Sequence, residues 1–271
     1  MMRLIGLGLV WVLAVNQGEV SSPIKQSQST PSRISAVIFN QPPLSSRGAP
    51  GNRQGGGTRD GRNCTALDIK ERLTAIVPAV ESEPKMSHVW GLTVSASPTL
   101  WFYVPYQAKD IQGAELELWD ETSREQRNYK QIYQRTFTVK ETPGAIALSL
   151  PSTVKLEPDK NYHWYLSLNI NCQGDNESIN VNGWIQRVKF QHTPSVNRQQ
   201  VILYAQKGIW YDALTQLAQL RRRNPQSKSL MQDWQKLLGD VGLKEIANKP
   251  IVSCCMAEGR RQKAGGRRQS R

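Results

Sequence analysis

The stretch GIWYDALTQLAQLRRRNP, from Gly208 to Pro225, decides the fold of the second half of this chain. Its apolar residues recur every three or four positions, as they do on the buried side of an amphipathic helix. Gly208 permits a close crossing of two antiparallel helices, because it has no side chain. Pro225 stands where the helix must stop. The stretch therefore predicts a helix that packs against a preceding antiparallel helix.

A helix is also predicted before and after this stretch. Asn197 is a suitable N-cap for the first of them, which ends at Gly208. Ser229 is expected to cap the third helix, and Gly242 to end it. Three helices make about one and a half tetratricopeptide units, and a solenoid usually needs three units to be stable. We therefore expect a tetratricopeptide-like hairpin plus one helix that leans on the rest of the chain.

The middle of the chain has the pattern of a β-sandwich. Short apolar runs recur between turn residues, at the spacing of an antiparallel sandwich. The predicted strands lie at 88–94, 100–106, 114–120, 129–139, 145–150, 162–172 and 179–190. Together with the helices they predict an α+β fold. In this fold an antiparallel immunoglobulin-like β-sandwich precedes the C-terminal tetratricopeptide-like helical hairpin and one more helix.

Among the predicted strands, YHWYLSLNINC at 162–172 has the most regular alternation between the two faces of a strand. Successive side chains of a strand point to opposite faces. One face is therefore predicted to hold Tyr162, Trp164, Leu166, Leu168, Ile170 and Cys172. We expect these residues in the core. An inward Cys172 suits a structural disulfide better than a reactive thiol.

Composition divides the chain into five segments. The first, 1–18, is predicted to be a signal peptide, because the basic Arg3 precedes an apolar run that is too short to span a bilayer. We expect no transmembrane segment in the mature chain. The other segments are predicted as a disordered linker rich in Gly, Pro, Ser and Arg at 19–63, the β-sandwich domain at 64–193, the tetratricopeptide-like helical region at 194–254 and a basic disordered tail at 255–271.

The net charge of +13 lies mostly at the ends of the chain. Residues 1–63 and residues 257–271 carry +5 each, which leaves +3 for the body between them. Basic tails are usually solvated, and a body without a basic stripe does not favour the binding of phosphates. We therefore expect no specific nucleic-acid partner.

The cysteines favour an oxidising compartment. Cys64, Cys172, Cys254 and Cys255 lack the paired spacing of a zinc site. A disulfide between Cys64 and Cys172 is the preferred pairing, and a bridge from Cys64 to Cys254 is the alternative. Together with the signal peptide, these cysteines predict an extracytoplasmic protein that is periplasmic or secreted.

No catalytic pattern stands out in the chain. The three histidines, His88, His163 and His192, are scattered and belong to no metal-binding pattern. The sequence also lacks a nucleophile elbow and a phosphate-binding loop. We therefore expect a non-enzymatic protein with no catalytic residues, no metal and no cofactor. A hydrolase with an unfamiliar site is the third hypothesis.

Eight tryptophans are many for a chain of 271 residues. Trp90, Trp101, Trp119 and Trp184 lie on predicted strands, and two or three of them on one exposed face could stack on sugar rings. This pattern gives the alternative hypothesis, a cell-wall or polysaccharide-binding β-sandwich protein. Core packing is the commoner use of tryptophan.

Five stretches together resemble a known family. They are PTLWFYVPY at 98–106, YHWYLSL at 162–168, NGWIQRV at 182–188, LYAQKGIWYDALTQLAQLRRRNP at 203–225 and DWQKLLGDVGLKEIANKP at 233–250. Through them the chain is similar, over residues 64–254, to the cyanobacterial family called domain of unknown function 928. The resemblance implies an export signal, a Gly/Arg/Pro-rich linker and cysteines at the positions of Cys64, Cys172 and Cys254. It implies no activity, substrate or catalytic residue.

The first functional hypothesis is a protein-interaction module with an unknown protein partner. Tetratricopeptide-like helices present side chains to peptides or to partner domains. Trp210, Tyr211, Leu214 and Leu217 are the candidate surface, either for a partner or for docking the helices on the sandwich. We favour the docking role, because the helical region is too short to form a groove.

Overall fold

Two β-sheets and three helices make up the structure, a computed structural model that describes residues 36–44, 48–55, 71–82, 85–172, 175–191, 195–254 and 256–257. All of these residues belong to one unit, Ser35–Arg271. The predicted signal peptide, most of the basic tail and Cys64 lie outside the described residues. No helix in the described ranges is long and apolar enough to span a membrane.

The elements follow the predicted order along the chain. The strands are β1 (Thr74–Ala75), β2 (Ala79–Ser82), β3 (Met86–Thr93), β4 (Thr99–Val104), β5 (Ile111–Asp120), β6 (Lys130–Thr138), β7 (Gly144–Ser149), β8 (Asn161–Cys172), β9 (Asp175–Arg187) and β10 (Met256–Ala257). The helices are α1 (Arg198–Gln206), α2 (Trp210–Arg223) and α3 (Lys228–Asp240). The α+β class is confirmed, and each predicted strand overlaps one of β3 to β9.

The strands form a small sheet in the order β1-β4-β7 and a large sheet in the order β10-β6-β5-β8-β9-β3-β2. The sequence predicts antiparallel neighbours only, but β3 and β9 are parallel, from Trp90 beside Trp184 to Thr93 beside Arg187. The physical reason is their separation along the chain. Five strands lie between β3 and β9, so no tight hairpin joins them and forces an antiparallel order.

Both sheets contribute to one hydrophobic core. The alternation of β8 is confirmed, since its inward side chains are at most 2% exposed; they are Tyr162, Trp164, Leu166, Leu168 and Ile170. The Trp164 ring meets Phe102 of β4 edge to face, with 5.4 Å between the ring centroids. The side chain of Cys172 lies outside the described residues. The core therefore extends from β8 in the large sheet to β4 in the small sheet.

The helix caps follow the sequence with one correction. The Asn197 side chain accepts a hydrogen bond from the Gln200 backbone N–H at 2.8 Å, and Gly242 has a φ of +74° after α3. The N-cap of α3 is Ser227, not the predicted Ser229. An N-cap needs non-helical backbone, and Ser227 has it, with φ −72° and ψ 108°. Ser229 lies inside the helix.

Helix α2 is anchored on β3 and β4. Trp210 is fully buried, and its Nε1–H donates to the Ile76 carbonyl oxygen at 2.9 Å. The Tyr211 hydroxyl accepts a hydrogen bond from Trp164 Nε1–H at 2.9 Å and donates to the Trp184 carbonyl oxygen at 3.1 Å. These bonds satisfy polar groups that would destabilise the core if they were left unpaired.

Residues 36–44 and 48–55, which we name the N-terminal arm, differ from the predicted disordered linker. Val37 is fully buried within the core. The Phe39 ring stands edge-on to Trp210, with 4.9 Å between the centroids. The arm therefore contributes apolar surface to the fold and is not a spacer in front of it.

The second half of the arm lies between β3 and β9, ahead of the point where these two strands pair. It runs antiparallel to both, with Pro50 beside His88 of β3 and Asn52 beside Asn182 of β9. Asn52 and Asn182 exchange two backbone hydrogen bonds, at 3.1 and 2.9 Å. We name the space between β3 and β9 the arm slot.

Gly51 allows the backbone of the arm to enter this slot. A Cβ atom at this position would lie 2.8 Å from the Asn182 carbonyl oxygen and 3.0 Å from Val89 Cβ. Both distances are too short for an ordinary contact, and the carbonyl belongs to paired backbone in a closely packed sheet. Gly51 contributes to the linker-like composition of the arm, and it also permits this close packing.

The C-terminal residues 250–254 and 256–257, which we name the strap, join the two sheets. Ala145 of β7 donates its N–H to the Pro250 carbonyl oxygen at 2.8 Å and accepts from the Val252 N–H at 3.0 Å. At the end of the strap, β10 pairs antiparallel with the end of β6. The strap thus connects an edge of the small sheet to an edge of the large one.

We predict that Gly51→Val lowers the free energy of unfolding by about 3 kcal/mol, because a side chain there must displace sheet backbone. Urea unfolding followed by tryptophan fluorescence measures this change. Gly113→Val is the matched control, since a Cβ at Gly113 meets no atom within 4 Å. Its effect should stay within about 0.5 kcal/mol. Equal stability of the two variants would contradict the placement of the arm.

We predict that Trp210→Ala lowers the free energy of unfolding by about 4 kcal/mol, because it leaves a cavity between the arm, α2 and the sheets. The same urea titration measures the loss. Met231→Ala, on the exposed side of α3 at 45% exposure, serves as the control and should change stability little. A Trp210→Ala protein as stable as the wild type would show that this residue does not anchor α2.

Candidate functional site

A cleft opens between β6, β7 and the strap, and we name it the strap cleft. Its volume is about 400 Å³. The floor is apolar, since Leu116, Phe137 and Leu148 line it and are at most 7% exposed. Ligand sites are usually concave and mostly apolar, with a few polar groups that fix orientation. The strap cleft has this form.

Two arginines give the strap cleft its charge. Among the lining residues that the structure describes, Arg135 and Arg222 are the charged ones. Arg135 lies opposite Leu116 in the register of β5 and β6, so its side chain leaves the strand on the apolar side of the sheet. Arg135 forms no ion pair with any described residue. Within the described part of the chain, it therefore brings a positive charge without an ion-pair partner to the mouth of the cleft.

Arg222 reaches the same cleft from the last turn of α2. Its guanidinium carbon lies 5.6 Å from the centroid of the Trp101 ring. One of its nitrogens donates to the Val252 carbonyl oxygen of the strap at 3.2 Å. These two contacts hold Arg222 in place while leaving its other donors for a ligand, since a guanidinium has five N–H groups.

Strand β6 forms the edge of the large sheet beside this cleft. Its neighbours are β5 along its length and β10 at Phe137 and Thr138. In the part of the chain that the structure describes, no strand lies along the other side of residues 130–136. An edge strand presents unpaired N–H and C=O groups that another chain can pair with. We name residues 130–136 the open edge.

The four side chains predicted as a surface lie elsewhere in the molecule. Trp210, Tyr211, Leu214 and Leu217 are at most 2% exposed. The structure brings them together inside the contact between α2 and the sheets. A partner cannot reach them there without opening the fold. Two roles are predicted for these side chains, binding of a partner and docking of the helices on the sheets. This burial is compatible with docking.

Cys254 is the cysteine whose side chain the structure describes. Its sulfur is disulfide-bonded, and the residue lines the strap cleft. Cys64 and the side chain of Cys172 lie outside the described residues. The pairing of Cys64 with Cys172, or with Cys254, therefore stays a prediction.

A buried polar cluster on the outer face of the large sheet was not predicted from the sequence. His163 stacks on the Trp184 ring with 4.2 Å between centroids. Its Nδ1 lies 2.7 Å from the Tyr165 hydroxyl and 3.3 Å from a Glu121 carboxylate oxygen. Its Nε2 lies 3.0 Å from Asn182 Oδ1. Both ring nitrogens thus have partners within the protein, and neither is left for a substrate.

This cluster has the properties of a structural network. Burial, and then the nearby Glu121 carboxylate, raises the pKa of Tyr165 above its ordinary value of 10.0. The Tyr165 hydroxyl therefore keeps its proton at neutral pH and can donate to His163. In the described ranges, no three His, Cys, Asp or Glu side chains are placed to hold a metal ion. Strand alternation predicts that His163 faces solvent, but the side chain is buried in the structure. No sequence pattern indicates which residues cover it.

The tryptophans of the predicted strands do not share one exposed face. Trp90 and Trp184 are 6% and 7% exposed and pack against Ala49 of the arm. Trp101 is buried in the core, below Arg222. Trp119 is half-buried, and its Nε1–H donates to Glu117 at 2.9 Å. The arm thus covers two of the rings that sugar stacking would need.

Comparison with known proteins gives one match. The family model described as Domain of Unknown Function (DUF928) matches residues 54–251. No curated protein and no solved structure matches the chain significantly. The matched range covers more than half of the 271 residues and contains the strands from β1 to β9 and the three helices. The chain therefore belongs to the DUF928 family.

Proposed function

We propose that this protein is a non-enzymatic interaction module that binds a partner protein through the open edge of β6. The observation that carries this proposal is the position of residues 130–136, which have a strand on one side only among the described residues. Extended segments of partner proteins add to such edges through main-chain hydrogen bonds.

The strap supports the proposal from within the molecule. Met256 and Ala257 already pair with Thr138 and Phe137 at the end of β6. The same edge therefore accepts an antiparallel strand where one is supplied. The open edge contains the apolar Ile132 and Tyr133 and also polar or charged residues, such as Lys130, Gln134 and Arg135. Such residues discourage unspecific aggregation at an edge while leaving its backbone available.

The proposal places the protein outside the cytoplasm, in the periplasm or as a secreted protein. The predicted signal peptide and the disulfide-bonded Cys254 support this location. A bridge between Cys64 and Cys172 is part of the proposal, as is a cyanobacterial source. We also propose that the two sheets are related to immunoglobulin-like sandwiches and that α1 and α2 are related to a tetratricopeptide hairpin. The spacing of the strands and the positive φ of Gly208 between the two helices support these relations.

The second candidate is a cell-wall or polysaccharide-binding protein. It is favoured by one observation, a polar groove of about 340 Å³ on the outer face of β5 and β8 that Glu115, Ser167 and Asn169 line. Trp119 lies on the same face of β5, four residues after Glu115. Saturable quenching of the protein's tryptophan fluorescence by a soluble polysaccharide, lost in Trp119→Ala, would favour this candidate over the first.

Peptide display tests the first candidate. The full-length protein selects octapeptides from a random displayed library, and the strongest binder is then synthesised and titrated. We expect this peptide to shift the backbone amide resonances of residues 131–136, because alternate amides of this segment face the open edge and gain hydrogen-bond partners there. Shifts confined to another surface would contradict the proposal.

N-methylated versions of the peptide supply the matched controls. In an added strand, only alternate residues direct their backbone amides toward the edge. We therefore expect methylation of one alternate set to abolish binding and methylation of the other set to preserve it. Equal tolerance of both sets would show that the peptide does not bind as a strand.

A further inference from the structure

We infer that the strap cleft is a binding site for a small carboxylate with an apolar chain. This inference goes beyond the proposed function, because it concerns side chains inside a cleft and not the backbone of the open edge. It rests on three properties of the cleft, which are its volume, its apolar floor and the positive charge that its described lining carries.

The volume of the cleft indicates a small ligand, and its apolar floor indicates that part of this ligand is apolar. Pockets that hold small molecules usually span about 300–1,000 Å³, and the strap cleft has about 400 Å³. Its floor of Leu116, Phe137 and Leu148 is closed to water from below, since these residues belong to the core. An alkyl chain placed on this floor leaves water for an apolar surface, which is favourable.

The positive charge of the rim favours a negatively charged ligand. Arg135 and Arg222 reach the cleft from different elements, β6 and α2. The described lining contains no carboxylate to compensate them. The acid with a described bond to the lining is Glu141, whose carboxylate accepts the Ser253 backbone N–H at 3.2 Å. Guanidinium groups bind carboxylates through paired, charge-assisted hydrogen bonds.

Protection of a sheet edge does not account for both arginines. An inward charge on an edge strand discourages edge-to-edge pairing, and Arg135 alone would serve that purpose. Arg222 is on a helix and is oriented toward the strap by its bond to Val252. A second cation directed to the same apolar cleft points to an anionic ligand. Ser253 adds a hydroxyl group at the rim that can donate to the same carboxylate.

The probe for this site is octanoate, titrated into the full-length protein by calorimetry and by tryptophan fluorescence, to which Trp101 under Arg222 contributes. We expect saturable binding of one octanoate per chain. Octanol and octylammonium have the same chain length without the negative charge, and they should bind at least about tenfold more weakly, the usual effect of losing a charge-assisted hydrogen bond.

The variants Arg135→Gln and Arg222→Gln should each weaken octanoate binding at least about tenfold while leaving octanol binding unchanged. Arg223→Gln is the matched control, because Arg223 is exposed at the end of α2 and does not line the cleft. Ala147→Leu reduces the volume of the cleft without changing its charge. This variant should therefore weaken the binding of octanoate and of octanol to a similar extent. Unfolding midpoints measured for each variant establish that it is folded.

Three results would overturn the inference. The first is an absence of saturable octanoate binding up to about 1 mM, the weak end of specific binding. The second is equal affinity for octanoate and octylammonium. The third is binding that Arg223→Gln weakens as much as Arg135→Gln does. None of these results bears on the open edge, whose test uses peptides and main-chain amides.

Discussion

The pairing of the arm with β3 and β9 in the arm slot completes the large sheet. The two strands pair with each other from Trp90 and Trp184 onward, and ahead of that point residues 49–52 of the arm fill the space between them. The Val89 N–H donates to the Ala49 carbonyl oxygen, and the Gly51 N–H donates to the Ser87 carbonyl oxygen, each at 3.0 Å. Without the arm, these backbone groups would be left unpaired inside a sheet, which is costly.

The arm also joins the sheets to the helices. Arg53 donates to the Val241 carbonyl oxygen at the end of α3 at 2.7 Å, and burial lowers the pKa of this guanidinium. At the other end of the arm, the Phe39 N–H donates to the Asp240 carboxylate at 3.0 Å. A segment of about twenty residues thus contacts β3, β9, α2 and α3, and it adds to the one core that the sheets and helices share through their direct contacts. The same segment covers Trp90 and Trp184 and removes them from any sugar-binding face.

The sequence predicts the regular elements well because their periods are local properties. The alternation of β8 and the three- and four-residue spacing of α2 can be recognised without knowledge of the neighbours. The arm could not be predicted in this way. Its Gly, Pro and Arg content is typical of a linker, and Gly51 acquires its role only from the Asn182 carbonyl and Val89 beside it. The strap cleft is equally invisible in the sequence, because Arg135 and Arg222 are far apart in the chain and meet only through the packing of β6, α2 and the strap.

Amide hydrogen exchange measures whether the arm is part of the sheet. The Val89 and Asn182 amides donate to Ala49 and Asn52 of the arm, and Leu166 in the middle of β8 reports global unfolding. We expect Val89 and Asn182 to exchange through the same opening free energy as Leu166. Exchange of Val89 and Asn182 at the rate of unprotected amides, with Leu166 still protected, would contradict it.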